Sequence, residues 1–161
     1  MVRVSSVELR PAGPELKPVI SNLIQLYLYD LTEFMPFPVG HDGRFEYGFL
    51  EHFWRYPYVT MVDGELAGFC LVVDKCPISG LRPCWFMAEF FVLRAYRRSG
   101  VGRRAVDLAL GNHPGNWHVA VPMANQAARS FWSGVLSARH PMISDREHEG
   151  DLWRLHAFKI P

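Results

Sequence analysis

The stretch Arg97-Arg98-Ser99-Gly100-Val101-Gly102 has the residue types and spacing of an anion cradle. It follows an apolar run and opens a helical pattern. Gly100 and Gly102 carry no side chains, so backbone N–H groups can close around phosphate oxygens while the following helix presents its positive end. Arg97, Arg98, Arg103 and Arg104 add full positive charges beside the loop. The chemistry this suits is pyrophosphate binding. It is not a dinucleotide fingerprint, which needs Gly-x-Gly-x-x-Gly, nor a P-loop, which needs Gly-Lys-Ser/Thr. A glycine turn that merely enters a helix has the same spelling, so the reading needs support from elsewhere in the chain.

Two further sets of side chains could do chemistry. Glu89 is the one carboxylate in the apolar run 84–93, where burial raises a carboxyl pKa toward the range useful for taking a proton at neutral pH. A carboxylate paired structurally with an arginine would look the same in sequence. Tyr27, Asp30 and Glu33 gather near the end of the first helical pattern. Carboxylates beside aromatics suit a cationic amine. Tyr27 and Asp30 lie one turn apart on a face adjoining the apolar stripe, whereas Glu33 also fits a solvated helix end.

These groups must be held by a definite set of elements. A short β-prone opening at Val2, Val4 and 7–9 is broken by Pro11, Gly13 and Pro14. Leu16, Val19, Ile20, Leu23, Ile24, Tyr27 and Leu28 then recur at helical spacing, and Phe45, Phe49, Phe53 and Trp54 suggest a second, shorter helix before Pro57. Segments 58–62 and 66–73 flank Asp63-Gly64, a favoured hairpin dipeptide. The run 84–93 reads as a buried strand. A helix from Val101 to the Gly111-Asn112 stop, a strand around Trp117, Val119 and Val121, a helix over 124–136 and a hairpin from 142–146 and 152–160 complete the pattern. The order is one strand, two helices, three strands, helix, strand, helix and two strands, without internal repeats or linkers.

Composition bounds the function classes. With 161 residues and 49% apolar positions, the chain suits one sizeable core, a single domain over 1–161. Seventeen Lys plus Arg against sixteen Asp plus Glu leave a net charge of +1, so no global field draws nucleic acid or an anionic membrane. Cys70, Cys76 and Cys84 are odd in number and lack Cys-x-x-Cys spacing; they read as reduced core thiols, with no metal expected. Positions 1–10 lack a continuous apolar signal core, and no window approaches the roughly 20 apolar residues that span a bilayer. The expectation is a soluble cytoplasmic protein.

The segment 89–104, Glu-Phe-Phe-Val-Leu-Arg-Ala-Tyr-Arg-Arg-Ser-Gly-Val-Gly-Arg-Arg, closely resembles the acetyl-CoA motif of the GNAT superfamily of N-acetyltransferases. There an apolar strand ends in Val-x-Pro and Tyr-Arg-x-x-Gly-x-Gly follows. Arg94 stands in place of the proline, which removes a rigid residue and leaves the glycine cradle intact. Asn125-Gln126-Ala127-Ala128-Arg129-Ser130-Phe131-Trp132 resembles the family's later Asn-x-x-Ala-x-x-Phe-Tyr helix. The resemblance extends over nearly the whole chain. It implies an α+β fold with a GNAT-like mixed, mostly antiparallel central sheet of about six or seven strands, flanked by about four helices in three α/β/α layers.

The resemblance also implies acetyl-CoA as the cofactor and assigns parts residue by residue. Phe91, Val92 and Leu93 would offer backbone groups to the pantetheine arm and an N–H to the thioester oxygen. Arg97, Arg98, Ser99, Gly100, Val101 and Gly102 would hold the pyrophosphate, with Arg103 and Arg104 at the helix entry. Asn125, Arg129, Phe131 and Trp132 fall in the segment lining the cofactor's far side. Tyr27, Asp30 and Glu33 lie where the family forms one wall of the acceptor cleft.

Acyl transfer to an amine needs the neutral nucleophile, whereas an alkyl amine titrates near about 10.4, the lysine value; Glu89 is the candidate base that removes its proton. Trp132 occupies the place where the family motif commonly has a tyrosine that protonates the departing thiolate, which indole cannot do; Tyr96, His118, His148 and His156 are the alternatives in sequence. The function expected is transfer of an acetyl group from acetyl-CoA to a primary amine of a small molecule, amino acid or peptide. The rival expectation is a CoA-binding sensor or interaction module without efficient transfer. The aromatic residues around 45–58 would be mostly core, some roofing the acceptor or forming a homodimer surface.

Overall fold

The structure, a computed structural model, describes residues 3–161; Val2, counted in the expected first strand, lies outside them. The strands are β1 (Val7–Pro11), β2 (Tyr56–Val62), β3 (Glu65–Val73), β4 (Trp85–Val92), β5 (Gly115–Pro122), β6 (Met142–His148) and β7 (Asp151–Ile160). The helices are α1 (Lys17–Leu31), α2 (Leu50–Phe53), α3 (Val101–Asn112) and α4 (Gln126–Leu136). The strands form one sheet in the order β1-β2-β3-β4-β5-β7-β6. Two tight hairpins have φ positive at both turn residues, Asp63 and Gly64 (50° and 84°) and Glu149 and Gly150 (51° and 85°). That backbone hand matches the twist of the strands they join.

Each face of the sheet carries its own core. On one face α1 buries Ile20, Leu23, Ile24 and Leu28 against Val59, Phe69, Leu71 and Phe91, the stripe expected from the apolar spacing. On the other, α3 and α4 bury Val106, Leu110, Val135 and Leu136 against Val72, Met87, Trp117, Val119 and Val121. The arrangement is α/β/α, with all three cysteines buried and unbridged. No helix among the described residues is long and apolar enough to cross a membrane.

The second helix is shorter than its aromatic spacing suggests. Only Leu50–Phe53 is helical, because Gln25 of α1 binds both backbone groups of Phe45: its Nε2 donates to the Phe45 C=O at 2.9 Å, and the Phe45 N–H donates to its Oε1 at 2.8 Å. The side-chain amide acts as a strand neighbour would, and Phe45 also bridges Val39 antiparallel. Phe45 is therefore held in a β-bridge over the α1 face, and the helix does not begin until Leu50.

Two features of β4 set the site. First, its ladder to β3 steps from Leu71↔Glu89 to Val72↔Met87, leaving Ala88 as an extra residue. This bulge puts Ala88 and Glu89 on the same face, so Glu89 joins Leu71 and Phe91 beneath α1 instead of joining Met87 beneath α3 and α4. Second, β4 and β5 run parallel but pair only at Trp85↔Trp117 and Phe86↔His118. From Met87 onward the β5-facing backbone groups of β4 have no ladder partner on β5.

Three buried imidazoles give the fold a pH dependence. Burial lowers the pKa of His113, whose Nε2 meets the Tyr58 hydroxyl at 2.7 Å, and also those of His118 and His156, with Arg146 and Arg154 respectively adding to the effect. A folded pKa below the unfolded value means the unfolded chain binds more protons, so this stability is complete above about 6.5 and is lost as pH falls below it. Thermal unfolding from pH 7.5 down to 5.5 should show a falling Tm, with a shallower fall in His113→Gln. An identical slope in both proteins would remove His113 from the account.

Candidate functional site

The sheet opening and the α1 face meet in one cavity of about 1100 Å³. Its walls come from α1, the segment 35–55, the loop 73–82, the middle of β4, the end of β5, α4 and the β6–β7 turn. Glu89, half-buried, lies in its depth. The Tyr47 hydroxyl donates to Glu89 Oε1 at 3.2 Å, and the Tyr27 hydroxyl also bonds to the carboxylate. Glu89 enters none of the ion pairs found among the described residues. Burial pushes its pKa up to about 7, with the two tyrosine hydroxyls pulling the other way. Burial and the Glu89 charge hold both tyrosines above their ordinary values. Such a carboxyl is divided between acid and base at neutral pH, which suits proton transfer.

Tyr47 is the residue that sequence reading missed as a site group, having counted it among the aromatics of a helix. Its placement depends on the Gln25 bonds to Phe45, two residues earlier, and nothing in the spacing announces them.

The phosphate-loop residues sit at the end of β4. A helical turn, Arg94–Tyr96, leads to Arg98 at φ 58° and Gly100 at φ 84°, a left-handed position that favours glycine. Gly100 caps α3 without a side-chain hydrogen bond, and the first closing bond runs from the Arg104 N–H to the Gly100 C=O. The N–H groups of Val101, Gly102 and Arg103 thus face out of the helix at its positive end. Ser99 Oγ donates to the Tyr96 C=O at 2.6 Å, closing the loop on itself. A Cβ on Gly102 would lie 3.0 Å from Phe131, whose ring stacks on Phe90. The glycine is what allows α4 to approach the loop.

Around this cradle the expected residues divide by role. Val101 and Val92 are buried together, and Phe91 packs against Tyr27 and Phe69 with Leu93 beside them. Asn125 and Trp132 line the cavity. The Asn125 Oδ1 caps α4 by accepting from the Ala128 N–H at 3.0 Å. Arg129 leaves a buried Nε with no partner, an orphaned donor near the helix start that fits an absent anion. Arg103 and Arg104 are exposed. An uncapped helix start, a glycine cradle closed by Phe131 and a strand edge without its partner fit a molecule with a long polar arm and phosphates.

Asp30 and Arg97 are engaged with each other. Arg94 donates to Asp30 Oδ1 through Nη2 at 2.6 Å and Nε at 3.1 Å, and Arg97 Nη2 donates to Oδ2. Arg97 Nε also donates to the Val92 C=O at 2.7 Å. Burial alone would raise the Asp30 pKa, but Arg97 and Arg94 outweigh it and hold the carboxyl below its usual range. Asp30 therefore ties α1 to the loop, and neither Asp30 nor Glu33 is among the cavity-lining residues, whereas Tyr27 is. Arg94, standing where the motif has proline, supplies half of this tie.

Trp132 is buried, edge-on to Phe90 and Phe131 at 5.3 and 5.1 Å between ring centroids. Of the alternative proton donors read from sequence, His148 lines the cavity, while Tyr96, His118 and His156 are absent from its lining among the described residues.

A family model described as Acetyltransferase (GNAT) family matches residues 25–134. Among curated proteins no sequence matches the chain. Among solved structures, a GNAT-family acetyltransferase from Streptococcus agalactiae superposes with a TM-score of 0.72 at 14% identity, covering 100% of this chain and 99% of that one. An acetyltransferase from Salmonella typhimurium, described as modifying the N-terminal serine of 50S ribosomal subunit protein L7/L12, gives 0.65 at 13% identity, covering 98% and 96%. RimL, a ribosomal L7/L12 alpha-N-protein acetyltransferase solved in complex with coenzyme A, gives 0.65 at 15% identity, covering 98% and 97%. At these identities the likeness is one of fold.

Proposed function

The chain belongs to the GNAT family of acetyltransferases, acyl-CoA-dependent enzymes that act on amines, and we propose that it acetylates a primary amine held over Glu89, with acetyl-CoA as donor. The observation that carries this reading is the bulge in β4, which turns a carboxyl with a pKa of about 7 into the cavity. Acetyl-CoA supplies the activated acyl thioester. The remaining work falls to the chain's own groups.

The outward N–H groups at the start of α3, with Arg98, Arg103 and Arg104 beside them in the chain, would bind the phosphates, and Arg129 of α4 would offer its unpartnered Nε to the same ligand. The unpaired edge of β4 from Met87 to Val92 would receive the amide-bearing arm as an added strand would, with an N–H there donating to the carbonyl oxygen. Glu89, aimed by Tyr27 and Tyr47, takes the proton from the incoming ammonium. Trp132 and Phe90 keep water from the reacting centre. Trp132 offers the departing sulfur no transferable proton, so its protonation falls to solvent or to His148, which lines the cavity.

Trp132 also favours a second reading, in which the chain binds CoA without efficient transfer. Release of free thiol from acetyl-CoA in the presence of a panel of primary amines separates the two. Amine-dependent release supports the enzyme. Tight CoA binding with no amine-dependent release on any acceptor supports the binding module.

A further inference from the structure

The acceptor half of the cavity has a definite chemical character. Beside Glu89 an aromatic ladder is formed by Tyr47, Phe49 and Phe53: Tyr47 meets Phe49 edge-on at 5.8 Å, and Phe49 stacks on the core-packed Phe53 at 5.7 Å. Phe49 is 56% exposed although it lines the cavity, an apolar surface at the mouth awaiting cover. The α1 side adds Leu28, Leu31, Met35 and Phe37 to the lining.

The charges are distributed differently. Glu89 is a carboxylate at depth. Asp74, half-buried, is paired with Arg82 at 3.4 Å, and the other charged lining groups (Glu46, Glu51, Arg55, Lys75, Glu149 and Asp151) are exposed and solvated. One half-buried proton acceptor therefore lies beside an apolar ladder, while the carboxylates of the ladder's own segment, Glu46 and Glu51, are exposed to water; a second ammonium laid on the ladder itself would lose solvation without a buried partner.

We infer that the acceptor is a monoamine whose single amino group is joined to an apolar alkyl or aromatic body, which lies on the Tyr47-Phe49-Phe53 ladder while the amine reaches Glu89. The inference rests on the acetyl-transfer reading and names the substrate class within it. The same chemistry is offered by a free alkyl or arylalkyl amine and by a peptide whose first residue is large and apolar. Polyamines and aminoglycosides, with several ammonium groups, would have to desolvate the additional charges against the apolar ladder and are disfavoured.

The test uses the full chain, acetyl-CoA and n-alkylamines from ethylamine to heptylamine, which share nearly one basicity, with thiol release as the readout. Burial of each added methylene should raise kcat/KM about fourfold until the ladder is covered, and spermidine should fall below an alkylamine of similar length by about tenfold or more. Phe49→Ser and Met35→Ser, both at partly exposed positions, should flatten the chain-length dependence. A tripeptide arm, Leu-Gly-Gly against Gly-Gly-Gly, distinguishes the sources: a leucyl preference together with a flat alkylamine series points to a peptide end.

A flat alkylamine series with no leucyl preference, or spermidine as the best acceptor, overturns the inference and leaves the transfer reading standing. Acetyl-CoA binding without thiol release on any amine overturns the transfer reading itself, and the inference falls with it.

Discussion

Glu89→Gln should lower kcat at pH 7 by about a hundredfold or more, the scale of losing a positioned general base, while Tm and the affinity for acetyl-CoA stay close to those of the parent. The amide is nearly the same size and can still accept from Tyr47, so the packing beneath α1 is kept. It cannot take a proton. In the parent, kcat/KM should rise with pH through about 7 as the Glu89 carboxyl ionises; in the variant that limb should vanish. Stopped thiol release with unchanged CoA binding, measured over pH 5.5 to 9, reads both effects. Parent-like turnover in the variant would show that the amine loses its proton elsewhere, and Glu89 would revert to a structural acceptor for two tyrosines.

Gly68→Ala should be among the most destabilising single-atom additions available in the chain. Gly68 pairs with Val92 across β3 and β4, and a Cβ there would lie 2.1 Å from the Phe91 carbonyl oxygen and 3.1 Å from Val92 Cα. These are backbone atoms in the middle of a sheet and cannot swing aside as a side-chain tip can. Forcing the strands apart should cost about 3 kcal/mol or more, a fall in Tm of roughly 6 to 12 °C for a chain of this length. The displaced segment carries the Val92 carbonyl that holds Arg97, so acetyl-CoA affinity should fall as well. A Tm within about 2 °C of the parent would mean that β3 and β4 separate more easily than their register implies.

Much of this was readable from residue order. The α1 stripe, the Asp63-Gly64 hairpin, the apolar β4 and the Gly100 turn into α3 all follow local rules, since propensity, period and turn chemistry agree at each of them. The family motif around Arg97 points to that same turn as the phosphate cradle of the proposal. The orientation of Glu89 was not readable, because β4 is apolar on both faces and alternation in such a run does not declare a bulge; Ala88 becomes the extra residue only through its register with Val72 and Leu71. Asp30 looked like an acceptor group because it sits a turn from Tyr27, but Arg94 and Arg97 approach from more than 60 positions away. Long-range pairing of charges leaves no local trace. The late start of the second helix has the same kind of cause: Gln25, distant in sequence, takes both backbone groups of Phe45 and so removes them from any helix.

The short seam between β4 and β5 splits the sheet into two plates joined by two residue pairs and by the shared core under α3 and α4. One plate, β1 to β4 with α1, carries Glu89 and the loop start; the other, β5 to β7 with α4, carries Trp132 and the wall opposite. Two residue pairs are all that the ladder contributes to keeping them in register. A ligand lying in the wedge would serve as a splint, supplying the backbone partners that β5 withholds. Occupancy and mechanical stiffness would then be one property of the molecule, and the angle between Glu89 and the wall carrying Trp132 would be set by the same contacts that hold the ligand.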